Sequence, residues 1–270
     1  MKMILSLLML CAFHSGVLHA QALETEESKP LLSGQFELGT GLEYQISTEG
    51  NESALPMAIE FGISKRLTLL VEPVAFTTIS PKIGNSTTDF GDLEATLFFQ
   101  IAKEKKVMPS VSISGEVKFP ITHNPLIGTG KIDYSPYLIA SKTTGKFFTS
   151  INFSYTILGK PSGAQIQNIF GYAAGTIFKL SKKNILFGEV YGNTSALIGG
   201  ETPEGQIPLT SSTIQISELT GGETVGAIGY GFYLKKELFF SIGINYDNNA
   251  ALLIRPGIEW KFGGNGKAKP

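Results

Sequence analysis

From Gln35 onward, apolar and polar side chains trade places at nearly every step. Phe36, Leu38, Leu42, Tyr44 and Ile46 fall on one parity, and Gln35, Glu37, Gly39, Gly41, Glu43 and Gln45 fall on the other. Successive residues of a strand point to opposite faces, so a period of two predicts a strand with one oily wall. The pattern recurs with Leu55, Met57, Ile59, Phe61 and Ile63 against Ala58, Glu60, Gly62 and Ser64. It continues through residues 67–78, 92–101, 110–119, 132–141 and 147–157 without a helical interlude. Two Gly-rich strands over 168–180 and 185–195 follow, and then 224–234, 238–246 and 251–262. That makes twelve.

Alternation also marks water-soluble sandwiches, so two further features decide between the architectures. Most of these strands run to ten or more residues, the length that a tilted strand needs to cross a bilayer. The connections also alternate in length. Lys65-Arg66, Lys103 to Lys106, Thr143 to Lys146, Ser181 to Asn184 and Lys235 to Glu237 are short, whereas Ile79 to Thr88, Ile121 to Thr129, Gly159 to Gln167 and Ala196 to Glu223 are longer. Short periplasmic turns and longer outer loops belong to outer-membrane barrels. The predicted fold is therefore all-β: an antiparallel up-and-down transmembrane β-barrel of about 12 strands. Each short turn carries Lys or Arg at or beside its tip, which suppresses edge pairing in transit.

The first residues change the picture of where the chain goes. Met1-Lys2-Met3 precedes an apolar run, Ile4 to Phe13, that closes at Leu18-His19-Ala20-Gln21-Ala22. One positive charge, a short apolar core and small residues at the end predict a cleaved signal peptide over 1–22. The apolar run is too short for a spanning helix. Cys11, the single cysteine, lies inside that leader and not at the end of its apolar run, so neither lipidation nor a disulfide is expected. Residues 23–33 then form a short acidic segment, expected to lie disordered in the periplasm. The barrel takes 34–262, and 263–270 is a tail.

Composition narrows the partners. The formal charge of −1 becomes −2 once Lys2 is lost with the leader, which leaves no footprint for nucleic acid. Aromatics gather near the predicted strand ends, as at Tyr44, Phe61, Phe119, Tyr134, Phe147, Tyr230, Trp260 and Phe262, where interfacial girdles would place them. The expected partners are membrane lipid, the barrel-assembly machinery and a small-molecule solute.

Several short motifs resemble the outer-membrane proteins of the MetA-pathway phenol-degradation family. They are Phe90-Gly91-Asp92-Leu93, Glu116-Val117-Lys118-Phe119-Pro120, Gly128-Thr129-Gly130, Asp133 to Leu138, Ser141-Lys142 with Gly145, Asn152-Phe153-Ser154-Tyr155 and Gly188-Glu189. The resemblance is clearest over residues 89–158. It implies an outer-membrane barrel that passes small hydrophobic or aromatic molecules, and it supplies no catalytic residues. Such barrels often end on an aromatic, whereas here Phe262 is followed by Gly263 to Pro270. Recognition by the assembly machinery would then rest on an internal signal.

Enzymatic barrels exist, but the chemistry for one is thin. His123 is the single histidine after the leader, and it sits between Pro120 and Pro125 with no nucleophile elbow beside it. One histidine and no cysteine cannot supply a zinc site. No phosphate-binding glycine loop is present either, so no catalytic residue, cofactor or metal is expected. The sharper content lies on the predicted inward face: Glu37, Glu43, Glu60, Glu72, Asp92, Glu94, Glu116, Asp133, Glu189 and Glu259 oppose Lys118 and Arg255, with Lys261 near the rim. A carboxylate facing hydrocarbon is costly, so these acids also fix the phase of the strands. They read either as a buried network bridged by the two cations or as a wall that favours cations and neutral solutes. Leu70, Phe76, Phe98, Tyr137, Ile139 and Phe148 add apolar patches to the same face. The expected function is passive passage of small solutes, hydrophobic or aromatic ones among them. A non-conducting structural or surface-interaction barrel is the alternative, and a membrane-embedded hydrolase is the weaker one.

Overall fold

The computed structural model describes residues 23–161, 166–196 and 222–263. The expected signal peptide over 1–22, most of the 196–223 loop and the residues beyond Gly263 lie outside the described residues. Fourteen strand segments follow in order. They are β1 (Gln35–Gly41), β2 (Glu43–Ile46), β3 (Gly50–Gly62), β4 (Leu67–Pro81), β5 (Thr87–Asp89), β6 (Leu93–Ala102) and β7 (Ser110–Phe119). Then come β8 (Asp133–Thr144), β9 (Phe147–Thr156), β10 (Ile169–Lys179), β11 (Asn184–Asn193), β12 (Glu223–Lys235), β13 (Leu238–Asp247) and β14 (Leu252–Gly263).

These fourteen segments make twelve staves. β1 and β2 are one stave broken at Leu42. Opposite it stands Pro256, whose carbonyl accepts the Leu42 N–H at 3.0 Å but which has no N–H to return. β5 and β6 are likewise one stave, interrupted where Gly91 reaches the Val74 carbonyl at 3.1 Å. Every neighbouring pair is antiparallel, and β1 pairs with β14 from Gln35↔Gly263 to Gly41↔Gly257 while also pairing with β3. The sheet therefore closes on itself, and no stave is left as an edge. Among the described residues the chain forms only strands, turns and loops.

Packing is inverted relative to a soluble protein. In β9, Phe147, Thr149, Ile151, Phe153 and Tyr155 are exposed while Phe148, Ser150 and Asn152 are buried. Leu97, Ile113, Leu138, Ile228 and Ile242 are exposed on the same outer surface, with Ile228 as open as 70 %. An apolar surface that runs round the whole sheet is stable only against hydrocarbon, where it costs nothing to leave uncovered. Ring pairs cluster near the short turns, as in Phe36–Phe61 at 4.4 Å, Phe147–Phe178 at 4.8 Å and Phe232–Phe240 at 5.4 Å. That is the level of an interfacial aromatic belt.

One expectation is corrected. Residues 23–33 do not hang free outside the barrel but run through its interior as an ordered strap. The chain turns inward at Gly34, whose N–H donates to the Gly62 carbonyl at 2.7 Å. Gly62 is needed there, because a Cβ on it would stand 2.1 Å from the Leu32 carbonyl oxygen. Further in, Gly175 leaves room for Thr25, whose Oγ1 lies 2.8 Å from where a Cβ would be. The physical reason is polar satisfaction: the strap's backbone groups find buried hydroxyl and carboxylate partners on the inner wall, which solvent would otherwise have to supply.

Candidate functional site

The site is the barrel interior, and the inward parity of the strands builds it. Glu37 on β1 is 3 % exposed, and its Oε2 lies 2.8 Å from Lys261 Nζ on β14. Half-buried Glu43 on β2 places Oε1 at 2.8 Å from Arg255 Nη2 on β14. Glu60 on β3 is buried. Glu72 on β4 and Glu94 on β6 are half-buried and stand directly opposite one another in the ladder. Glu116 on β7 accepts from the Tyr137 hydroxyl at 3.1 Å and from Thr96 Oγ1 at 3.4 Å. Lys118 Nζ lies 2.5 Å from Asp133 and 3.8 Å from Asp92, which precedes β6. Buried Asp133 also accepts the Gly159 N–H at 2.8 Å. Glu189 on β11 and Glu259 on β14 are buried as well.

Two of the predicted cations thus hold separate groups. Arg255 joins Glu43 to the strap, and Lys118 joins Asp92 and Asp133 near the outer loops. Of the inward apolar residues, Leu70, Phe98 and Ile139 form one buried cluster, with Tyr137 packed against it. Phe148 belongs to a second cluster with Ile177, Ile185, Phe187 and Phe239. Phe76 falls at a bulge, where Ala75 and Phe76 together oppose Leu55 between the pairs Ala54↔Thr77 and Pro56↔Val74. His123 is exposed in the loop after β7, and its backbone N–H donates to Asp89 Oδ2 at 3.1 Å.

The strap supplies residues that the sequence reading missed. Glu189 Oε1 accepts the Glu24 N–H at 2.9 Å, while its Oε2 accepts the Thr25 N–H at 2.9 Å and Thr25 Oγ1 at 2.7 Å. Glu24 Oε1 lies 2.7 Å from Arg255 Nη2. The Ser28 N–H donates to Ser141 Oγ at 2.9 Å, and its carbonyl accepts from Ser112 Oγ at 2.6 Å and Gln100 Nε2 at 3.3 Å. Nearer the short-turn end, Lys29 Nζ reaches Glu104 Oε2 at 2.8 Å and Thr143 Oγ1 at 3.1 Å. Burial alone would raise the Glu104 carboxyl, but the hydrogen bonds from Lys29 and the Thr143 N–H, with the Lys29 charge and the Lys142 ammonium, hold it at about 2. The inward row of Gln100, Ser110, Ser112 and Ser141 is the trace of this seat in the sequence. It is polar without charge, as a surface that binds backbone groups should be.

Strap and wall do not fill the lumen. A cavity of about 270 Å³ remains between them. Carboxylates from β1 to β6 line one side, and Phe148, Ile177, Ser150 and Gly175 line the other. Such a space can hold a small molecule, and the strap narrows the way through.

No protein-family model and no curated protein matches the chain. Solved structures do. An outer-membrane channel from Pseudomonas putida F1 superposes with a TM-score of 0.67 at 10 % identity, covering 89 % of this chain and 100 % of that one. The NanC porin gives 0.56 at 12 % identity, over 83 % and 100 %. The KdgM porin in complex with disordered oligogalacturonate gives 0.54 at 9 % identity, over 84 % and 99 %. At such identities the likeness is one of fold. The chain is built as outer-membrane channels are built.

Proposed function

We propose that this chain is exported through a cleaved leader, sits in the outer membrane and passes small solutes down their gradient, hydrophobic or aromatic molecules among them. The observation that carries the reading is the closed barrel with a cavity of about 270 Å³ kept open beside the strap. A barrel that served only as a wall would gain from filling that space, since an unfilled interior forgoes packing contacts. The apolar clusters around Ile139 and Phe148 support aromatic solutes.

The strap gives the second reading its own support. An ordered segment seated on Glu189, Arg255 and Ser28's partners occludes much of the lumen, as a non-conducting barrel would require. One experiment separates the two. Purified barrel in a planar bilayer is compared with a variant lacking residues 23–31. The channel reading expects discrete steps from the intact chain and steps several-fold larger from the variant. Silence from the intact chain, with sealed liposomes under every solute gradient, would overturn it in favour of the structural barrel.

A further inference from the structure

The lining of the cavity is out of electrostatic balance. Among the described residues nine acidic side chains line it, and Arg255 is its one basic lining residue. Four of the nine have a cation within 4 Å. Arg255 holds Glu24 and Glu43, Lys261 holds Glu37, and Lys118 stands 3.8 Å from Asp92. Of the other five, Glu26 and Glu27 belong to the strap and make interactions of their own, while Glu60, Glu72 and Glu94 share one inner wall. Glu72 and Glu94 face each other across the β4–β6 ladder, and Glu60 opposes Leu70, the next inward position along β4 from Glu72. Like charges directly opposite on neighbouring strands repel.

Glu60 is the independent pointer to a ligand. It is only 8 % exposed and lines the cavity, no hydrogen bond or ion pair within 4 Å holds it among the described residues, and Lys261 attracts it only from farther off. A buried carboxylate without a partner is costly, and a site that keeps one is built to receive a donor. The other side, lined by Phe148, Ile177, Ser150 and Gly175, carries no charge. Phe148 already takes a cation on its face, since Lys29 Nζ lies 5.0 Å from its ring centre. A metal ion does not suit the site, because no three acidic or imidazole side chains among the described residues are spaced to wrap one.

We propose that this cavity binds a compact organic ammonium ion with an apolar body, such as an arylalkylamine. The ammonium head sits among Glu60, Glu72 and Glu94, and the body lies against Phe148 and Ile177. This names a solute class for the channel and rests on that reading for passage, though not for binding.

Titration calorimetry on the full chain in detergent, with benzylamine as probe and benzyl alcohol as its neutral analogue, tests the site. Benzylamine is expected to bind saturably and the alcohol not to. Glu60→Gln and, separately, the pair Glu72→Gln with Glu94→Gln should each weaken benzylamine about tenfold or more, as the loss of a charged hydrogen bond implies. Heat-dependent gel mobility verifies that each variant is folded. If the pair fails to fold, Glu60→Gln alone decides. Equal binding of amine and alcohol, indifference to Glu60→Gln, or displacement of the amine by calcium chloride at equal ionic strength would overturn the proposal. Bilayer conductance in potassium chloride reads the channel independently. A silent barrel that binds the amine keeps the site and removes passage, whereas a conducting barrel that ignores it removes the site.

Discussion

Arg255 holds two carboxylates at once, Glu24 of the strap and Glu43 of the wall, and this decides what its loss would do. Arg255→Met leaves both acids in a closed interior without their cation. Breaking a fully buried pair from one side costs about 3–5 kcal/mol, and because the Glu24 and Glu43 side chains stay 44 % and 25 % exposed, about 1–3 kcal/mol is expected here. Urea unfolding from lipid vesicles should register that loss, and adding Glu24→Gln and Glu43→Gln to the same chain should recover part of it. A shift within experimental scatter would mean that the two acids find water or protons instead. Glu104 carries a different signature, because its carboxyl is depressed to about 2 from an ordinary 4.5. A depressed carboxylate contributes stability above its ordinary range and loses it as pH falls through the folded value. The Lys29 clasp should therefore hold at pH 4 and open only near pH 2. A nitroxide on Leu32→Cys, at the exposed foot of the strap, should keep one mobility from pH 7 to 4 and loosen below. With Glu104→Gln the same label should be loose at pH 7. These contacts were not legible in advance. Glu189 lies 165 residues from the backbone N–H that it accepts, and no local pattern in Leu23 to Pro30 announces a destination inside a lumen.

Along each strand the alternation was legible, because the bilayer and the enclosed interior impose opposite chemistry on successive residues. Ile113 and Ser114 on β7 test that phase directly. Ile113 is exposed on the outer face and Ser114 is buried on the inner one. Ile113→Arg near the middle of the hydrocarbon should cost about 2–4 kcal/mol, measured by unfolding from vesicles. Ser114→Ala should stay within about 0.5 kcal/mol, since its hydroxyl has no partner to lose. Equal costs at the two positions would mean that the faces are misassigned. Interruptions of the ladder were less visible. Leu42 continues the period without a break, yet it splits β1 from β2 because of Pro256, a residue more than two hundred positions away. The bulge at Ala75 and Phe76 likewise depends on which residue of β3 stands opposite, which no run of β4 alone can reveal.

At the scale of the molecule, the strap and the barrel are separable in principle. The wall closes through backbone pairs between β1 and β14 that do not involve residues 23–33. Removing 23–31 should therefore leave heat-dependent gel mobility intact while conductance rises. Loss of that mobility shift would make the strap part of the scaffold. The seam between β1 and β14 has a consequence of its own. It welds the beginning of the sheet to its end, so the cylinder cannot shut until β14 has been made and delivered. Until then β1 and β13 offer raw borders to any passing strand. For this molecule the hazard of sticking to its own kind is greatest just before β14 arrives, when the charged short turns are the chain's own safeguard.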